Sequence, residues 1–379
     1  MTRRSWAAAV PLALVLVPVL VLGSVTGAGA VEPGPPVNQT SPGVTGTLRV
    51  GELLTATTGE WTPEPASYQY SWLRDDIAVS GEHAKTYRLT GADLGHRIAV
   101  QVIGVGSDTT PGTPVISADS AEVGLGRFSL TGVSRILGTR RWGHELKVVN
   151  GTWSPKPTKV VYQWLANGNA IKGATRARYT PTPADFGKKL TVRVSARRAY
   201  YANLVSYSLT TGPIGHRVRV KKHFTYSIAT RGNVTANMRT FAAIAARVYA
   251  DPQGWRSAGY EFTPVAHGGD FTLVLSSASR MASFGYPCDS TWSCRVGRNV
   301  IINQTRWLHA SPAWNAAHRP LLEYRNMVIN HETGHWLGHH HLTCPGKGRL
   351  APLMMQQSKG LHGCRFNPFP LPSERWTSR

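Results

Sequence analysis

Acidic residues are scarce in this chain of 379 residues: 20 Asp and Glu stand against 42 Lys and Arg, which leaves a formal net charge of +22. This imbalance favours polyanionic partners, such as nucleic acid, anionic lipid or an acidic cell envelope. A basic surface that serves only solvation explains the same balance equally well. The chain carries none of the common RNA- or DNA-binding motifs, so we expect no specific nucleic-acid partner.

Long apolar runs are also missing, except at the start of the chain. Arg3 and Arg4 precede an apolar stretch over residues 7–25, and Ala28-Gly29-Ala30 has the small-residue pattern of a signal-peptidase site. We therefore predict a signal peptide over residues 1–30, cleaved after its last residue, and a secreted or envelope-associated protein. The length of the run leaves an uncleaved N-terminal anchor as the alternative.

Cysteine is confined to the last third of the chain. Its four cysteines are Cys288, Cys294, Cys344 and Cys364. An even number in an exported protein implies disulfide bonds, and four cysteines allow three pairings. Short loops cost the least entropy to close, which favours Cys288–Cys294 and Cys344–Cys364. A second zinc site is the alternative, but no Cys-x-x-Cys spacing supports it.

Residues 46–216 contain an internal duplication with a constant offset of 92 residues. The matching pairs include Gly51 and Gly143, Trp61 and Trp153, Trp72 and Trp164, Tyr87 and Tyr179, and Asp93 and Asp185. So many matches in one register indicate two copies of one unit, residues 46–125 and 126–216. Short alternating runs separated by turn residues predict that each copy is an all-β sandwich. The copies resemble the immunoglobulin-like repeats of secreted bacterial surface proteins and hydrolases, without the inter-sheet cysteine pair.

The repeated residues allow a functional and a structural interpretation. Paired tryptophans can bind carbohydrate, but large aromatics at fixed repeat positions more often pack a core. Asp93 and Asp185 each precede a turn glycine, so we expect turn hydrogen bonds and not calcium binding. The repeats would then act as spacers or envelope-binding modules. Residues 31–45, rich in Pro, Gly, Ser and Thr, are predicted to be a linker.

The segment from His331 to His341 carries the clearest chemical pattern, H-E-x-x-H-x-x-G-x-x-H. A stripe at helical spacing leads into it through Leu321, Tyr324, Val328, His331 and His335. The first two histidines of the motif are therefore predicted on one face of a helix, near its C-terminal end. Two such imidazoles can hold a Zn²⁺ ion, with Glu332 beside it as general base. Gly338 can end the helix because glycine readily adopts positive φ.

A hydrolytic zinc ion needs a third protein ligand and one open position. After Glu332 the only carboxylate of the chain is Glu374, so a histidine is the expected third ligand. The candidates are His339, His340, His341 and His362. His341 is favoured because it completes the extended spacing of the motif.

This motif, followed by Leu353-Met354-Met355, resembles that of the metzincin clan of zinc metallopeptidases. The resemblance implies an α+β zincin domain over residues 217–379, with Met354 as the methionine of a turn beneath the metal. It also implies that the strand around Val300–Ile302 is the sheet edge where an extended peptide adds. The domain is also similar to an uncharacterised family of secreted domains of high-GC Gram-positive bacteria.

Two features depart from the clan's pattern. Prolines at positions 368, 370 and 372 oppose a long C-terminal helix. No tyrosine follows Tyr324, so a tyrosine from that region cannot help to stabilise the oxyanion. We therefore expect the metal and Glu332 to carry transition-state stabilisation, with His362 as a further candidate.

The sequence as a whole predicts a multidomain protein, with two all-β immunoglobulin-like sandwiches followed by an α+β metzincin-like domain. The leading hypothesis is a secreted, monomeric, zinc-dependent metallopeptidase that acts on peptide or protein substrates. One alternative is a zinc amidase that acts on peptidoglycan. Another is a non-catalytic protein that binds the cell envelope, with zinc kept for structure, although such a protein has no use for Glu332.

Overall fold

The computed structural model describes residues 34–379. The predicted signal peptide and its cleavage site lie outside the described residues. The chain divides into two compact units, Met1–Gly124 and Leu125–Arg379. None of the described helices is both long and apolar enough to cross a membrane.

The first unit is a β-sandwich, as predicted for the first repeat. Its strands are β1 Val37–Asn38, β2 Gly43–Gly46, β3 Leu53–Thr57, β4 Trp61–Thr62, β5 Ser67–Arg74, β6 Ile77–Ala78, β7 Thr86–Arg88, β8 Ile98–Val105 and β9 Val115–Ile116. One sheet has the order β2-β3-β7, the other has the order β6-β5-β8-β9, and β1 pairs with β4. All of these pairings are antiparallel.

The predicted linker over residues 31–45 is wrong from Val37 onwards. Asn38 pairs with Trp61 in a short antiparallel ladder, and Gly43–Gly46 forms the edge strand of a sheet. Proline and glycine favour loops, but they are also tolerated at sheet edges, where a missing N–H or side chain costs little. The sandwich therefore begins about ten residues earlier than its repeat pattern.

The repeated tryptophans pack the cores of the sandwiches. Trp72 is fully buried, stacks on Tyr87 at 5.4 Å between ring centroids, and donates its indole N–H to the Ala84 carbonyl at 2.9 Å. In the second copy, Trp164 is equally buried and lies 5.4 Å from Tyr179. Indole rings this deeply buried are not available to a ligand, so the structural interpretation of these residues is confirmed.

The repeated aspartates make turn hydrogen bonds, as predicted. The Asp93 carboxylate accepts from Thr90 N at 2.6 Å, from the Tyr87 hydroxyl at 2.9 Å and from Arg74 at 2.7 Å. Burial works against the charged carboxylate, but these bonds outweigh it and hold the pKa of Asp93 below its usual value. Asp185 accepts from Thr182 and Tyr179 in the same way.

Replacing Asp93 by Ala should lower the free energy of unfolding of the first sandwich by about 3 kcal/mol, because Arg74, Tyr87 and Thr90 lose a buried charged acceptor. Because the pKa of Asp93 is lower in the folded protein, its carboxylate stabilises the fold at pH values above the unfolded-state pKa of 3.8. This stabilisation is lost as the pH falls through the lower pKa of the folded state. The effect should therefore be full at pH 7 and shrink on strong acidification. Hydrogen exchange of the backbone amides of Ser67–Arg74 measures this loss of stability, with Asp119→Ala, at an exposed position, as the control. Equal protection of these amides in the two variants at pH 7 would contradict the prediction.

The second unit begins with the second sandwich. Its strands are β10 Ser129–Thr131, β11 Arg135–Gly138, β12 Leu146–Val149, β13 Thr152–Ser154, β14 Lys159–Ala166, β15 Asn169–Ala170, β16 Arg178–Tyr179, β17 Leu190–Arg197 and β18 Leu204–Tyr207. The sheet orders are β11-β12-β16 and β15-β14-β17-β18, with β10 paired to β13. The strand order repeats that of the first copy, as the duplication predicts.

An α+β domain follows in the same unit. Its elements are β19 Lys222–Arg231, α1 Met238–Ala250, β20 Tyr260–Pro264, β21 Phe271–Ser276, β22 Cys294–Val296, β23 Asn299–Asn303, α2 Gln304–His309, α3 Pro312–Ala316 and α4 Leu321–Trp336. The five-stranded sheet has the order β20-β19-β21-β23-β22, and only β22 runs antiparallel to its neighbour. Helices α1 and α4 pack on this sheet over a common apolar core.

The predicted sheet edge at Val300–Ile302 is wrong. Those residues belong to β23, which is paired on both sides, with β21 and with β22. Val300, Ile301 and Ile302 are completely buried, which is typical of an interior strand covered on both faces. The edge next to β23 is the short strand β22, whose pattern is too brief to be recognised in the sequence.

Candidate metal centre

Helix α4 presents the central histidines, as the sequence predicts. Its last residue is Trp336, and Gly338 follows with φ of 102°, a conformation that glycine adopts without steric cost. The helix is fixed from behind, because Trp255 Nε1 donates to the Asn330 carbonyl at 2.9 Å and the Tyr249 hydroxyl lies 3.0 Å from Thr333 Oγ1. Burial of both partners keeps this end of the helix in place.

Three histidines converge at the end of α4. His331, His335 and His341 each offer a ring nitrogen, and these atoms all lie within 4.8 Å of one another. The Nε2 atoms of His335 and His341 are only 3.1 Å apart. Two lone pairs this close repel unless a proton or a metal cation lies between them, so the three rings could hold a metal ion.

Backbone carbonyls orient the two helical imidazoles. His331 Nδ1 lies 2.8 Å from the Leu353 carbonyl oxygen, and His335 Nδ1 lies 2.9 Å from the His339 carbonyl oxygen. A carbonyl only accepts, so Nδ1 carries the proton in both rings and Nε2 is left with a free lone pair. Histidines that bind zinc in other proteins are commonly oriented in this way, by a carbonyl or carboxylate that accepts from their second ring nitrogen.

Burial also sets the charge of the site. It lowers the pKa of His331 to about 3 and that of His335 to about 4, with the neighbouring histidines adding to the effect. Both imidazoles are therefore neutral near pH 7, which is the form that binds metals. In the metal-free site burial raises the pKa of the adjacent Glu332 carboxyl to about 8, and a cation held by the histidines would lower it, which favours the basic carboxylate form.

The other candidate ligands, His339, His340 and His362, lie outside the cluster of three. His339 is buried between aromatic rings, 5.0 Å from Trp255 and 4.1 Å from Trp376, and its Nε2 lies 2.8 Å from the Trp376 carbonyl oxygen. His340 is exposed beside the site but outside the cluster of three, and His362 is not among the residues that line the cavity. His362 is thus not placed to stabilise an oxyanion.

Met354 lies under α4, where the resemblance to metzincins places a methionine. It is completely buried, and a β-carbon at Gly334 would collide with its sulfur and lie 2.9 Å from Trp255 Cζ2. Its carbonyl accepts from Leu342 N at 3.1 Å, next to the third histidine. Met355 points into a different cluster, against Cys364 and Ala351. The close approach at Gly334 explains why glycine stands inside the helix.

Replacing Gly334 by Ala should destabilise the domain by about 1–3 kcal/mol, because the added methyl group overpacks a filled core. The expected gain in helix propensity of about 1 kcal/mol does not compensate. Chemical denaturation monitored by near-UV circular dichroism measures the difference. Leu322→Ala, at an exposed position of the same helix, is the matched control. A Gly334→Ala protein as stable as wild type would show that Met354 does not fix the helix from below.

Both predicted disulfides, Cys288–Cys294 and Cys344–Cys364, are formed. The first joins β22 to the preceding loop, and Cys294 lines the cavity in front of the histidines. The second closes a segment that begins three residues after His341 and contains Met354. The short-loop pairing is thus confirmed, and it encloses the turn on which the third histidine depends.

A cavity of about 750 Å³ opens in front of the histidines. Its wall includes the three histidines, Glu332, Tyr286, Asp289, Trp292, Cys294, Arg295, Tyr324 and Lys359. Tyr286 is 97% exposed and forms part of the rim. Asp289 is occupied with its own turn, since it accepts from Thr291 N at 2.7 Å and from Trp292 N at 3.0 Å. Of the two carboxylates in this wall, Glu332 is the one on the helix that carries His331 and His335.

Several residues of the site escape detection in the sequence. Tyr324 lines the cavity from the first part of α4, and its hydroxyl lies 3.0 Å from Ser358 Oγ. Arg295 and Lys359 bring positive charge to the same wall. Glu374 is buried and accepts from the backbone of Leu353 and Met354, a position that the sequence did not predict. Its one signal was its isolation as the only carboxylate after Glu332.

The donor set fits a zinc ion. The ring nitrogens of the three histidines lie within 4.8 Å of one another, and all three residues belong to the cavity wall. Zinc in hydrolytic sites takes three protein ligands of this kind and leaves one position open, whereas structural sites use four. A cluster of imidazole nitrogens suits zinc better than calcium or magnesium, which prefer oxygen ligands.

Comparison with known proteins covers both parts of the chain. Residues 203–372 match a family model described as "Protein of unknown function (DUF3152)", a range that contains the three histidines. No curated protein matches the chain.

Three similar solved structures consist of β-domains. The three N-terminal domains of the bacteriophage RB49 Highly Immunogenic Outer Capsid protein (Hoc) are 20% identical, with a TM-score of 0.22; the match covers 51% of this chain and 65% of that one. The FN1–FN3 domains of chicken CNTN1 are 14% identical, with a TM-score of 0.18 and coverages of 46% and 66%. The amphioxus IgVJ-C2 molecule is 17% identical, with a TM-score of 0.20 and coverages of 47% and 98%. The chain thus spans less than two thirds of each of the first two structures.

Proposed function

We propose that this protein is a secreted zinc-dependent metallopeptidase of the metzincin type. The observation that carries the proposal is the convergence of His331, His335 and His341 beside the Glu332 carboxylate, at the base of an open cavity. His331, His335 and His341 would hold a zinc ion here, and a bound zinc ion would supply acidity to a water molecule and polarise a carbonyl group.

The residues of the chain divide the remaining work. Glu332 takes the proton of the attacking water and returns it to the leaving amine, which is general acid–base catalysis by one carboxyl group. The carbonyls of Leu353 and His339 hold the imidazoles in the required tautomer. Burial of Glu332 excludes bulk water around it and strengthens its interaction with a nearby cation.

The edge strand β22 offers a place for the substrate. It is the unpaired edge of the five-stranded sheet, and Cys294 and Arg295 belong both to it and to the cavity wall. An extended peptide can pair with this edge through main-chain hydrogen bonds. The surrounding cavity wall then selects among the side chains of the peptide. Arg295 and Lys359 favour acidic side chains near the cleaved bond. The two sandwiches act as spacers or as modules that bind an anionic envelope.

Removal of the metal tests the proposal. A protein that begins at Val31 should cleave peptides from a random library, lose cleavage after dialysis against a chelator and regain it on addition of one equivalent of Zn²⁺. Crosslinked peptidoglycan serves as a parallel substrate. Release of stem peptides without cleavage of library peptides would favour the amidase alternative. No hydrolysis of either substrate by the zinc-loaded protein would contradict an enzymatic role.

A further inference from the structure

The buried carboxylate of Glu374 lies behind the metal centre. Only 1% of its surface is exposed. Its oxygens accept three backbone N–H groups, from Leu353 at 3.0 Å, from Met354 at 2.8 Å and from Leu371 at 2.7 Å. A carboxylate this deeply buried is costly unless its lone pairs are satisfied, and here backbone donors satisfy them.

The two residues that Glu374 holds are the ones that orient the ligands. The Leu353 carbonyl lies 2.8 Å from His331 Nδ1, so the carboxylate acts on the first ligand through a single residue. The Met354 carbonyl accepts from Leu342 N at 3.1 Å, directly after His341. One carboxylate thus fixes the turn on which both His331 and His341 depend.

The residues that follow Glu374 continue along the same side of the centre. The Trp376 carbonyl lies 2.8 Å from His339 Nε2, and the His339 carbonyl in turn lies 2.9 Å from His335 Nδ1. Thr377 Oγ1 donates to the Leu337 carbonyl at 2.8 Å, just past the end of α4. Segment 371–379, whose one helical element is the 3-10 turn Pro372–Glu374, therefore holds the loop between the second and third ligands.

We propose that Glu374 is a positioning residue of the metal centre, which orients His331 and His341 through the Leu353–Met354 turn. The inference rests on the metal centre of the proposed function, but not on peptide cleavage. It gives the segment after the prolines, where the sequence opposes the long C-terminal helix usual in metzincins, the role of aligning ligands. A neutral side chain of the same shape retains the packing and weakens this alignment, because its NH₂ group faces a backbone N–H.

The test is the substitution Glu374→Gln in the chain that begins at Val31. We expect the zinc Kd, measured by competition with a chromophoric chelator, to rise about 10-fold, at the low end of the 10–100-fold range typical for partners of metal ligands. The visible spectrum of the Co²⁺-loaded variant should shift, because the ligand field changes when His331 is less firmly held. Glu374→Asp, which keeps the charge but is one methylene shorter, should show an intermediate loss. Glu261→Gln, on β20 and half exposed, is the matched control.

The fold of the metal-free proteins shows whether Glu374 positions the ligands or is needed for folding itself. Near-UV circular dichroism at a temperature below the melting transition must show the same folded state for wild type and variant before their Kd values are compared. A folded Glu374→Gln protein with an unchanged Kd and Co²⁺ spectrum would overturn the proposal. Failure of both Glu374 variants to fold would also overturn it, since the role would then be structural only.

The outcomes also distinguish this inference from the proposed function. Suppose that the wild-type protein binds zinc but cleaves no substrate, and that Glu374→Gln binds zinc more weakly. This result would support the positioning role and contradict the peptidase. A wild-type protein that binds no zinc would contradict both.

Discussion

Replacing Glu332 by Gln should lower kcat/KM for a cleaved peptide by about 10²–10⁴-fold, the usual contribution of a general acid–base group. The amide has the same shape and keeps the packing of a side chain that is only 5% exposed. It has no basic lone pair that can take a proton from water. Zinc content should stay at one ion per chain, because Glu332 is not one of the three converging ligands.

The Glu332→Gln result is read against a control in the same helix. Glu323→Gln removes a carboxyl group that pairs with Arg319 on the protein surface, and it should leave kcat/KM unchanged within about twofold, since exposed ion pairs contribute little. Steady-state hydrolysis of one fluorogenic peptide, with metal content measured on the same samples, gives both values. A Glu332→Gln protein that retains one zinc ion and wild-type kcat/KM would rule out Glu332 as the base.

Replacing His341 by Ala should weaken zinc binding at least about 100-fold. Binding energies of roughly 10–16 kcal/mol for four-ligand zinc sites correspond to about 3 kcal/mol or more per ligand, and each 1.4 kcal/mol is a factor of ten. The neighbouring His340 provides a matched control, because it is also exposed and lies in the same loop but outside the cluster. His340→Ala should therefore bind zinc within about twofold of wild type.

Chelator competition on the two variants decides which histidine completes the site. Weak binding in His341→Ala alone identifies the third ligand. The reverse pattern, with His340→Ala weakened and His341→Ala unaffected, would show that the loop after Gly338 holds the metal differently. Near-UV circular dichroism of both metal-free proteins checks that the loop substitutions leave the fold intact.

The sequence predicted those parts of the site that depend on local spacing. His331 and His335 lie on one face of α4 because their spacing matches the helical repeat, and Gly338 follows the helix with positive φ. The disulfide pairing follows from loop length, whereas the place of Met354 against the helix was implied by the resemblance to metzincins. The core role of Trp72 and Trp164 was likewise fixed by their repeat positions.

The features that the sequence did not reveal depend on contacts between distant residues. Glu374 and Leu353 are twenty-one positions apart, and their hydrogen bond leaves no periodic trace in the sequence. Strand β22 has three residues, too few for an alternating pattern, so the edge was assigned to the more apolar β23. The strand at Val37 was hidden by a proline- and glycine-rich composition that edge strands share with linkers.

The central claim, hydrolysis of peptide bonds at the three-histidine site, is tested most directly by mass spectrometry of an unmodified peptide library. The library is incubated with the zinc-loaded protein and, in parallel, with its Glu332→Gln variant. We expect wild type alone to produce pairs of fragments whose masses sum to the parent peptide plus one water, with acidic residues enriched near the new termini. A library left intact by a wild-type protein that carries one zinc ion per chain would contradict the claim.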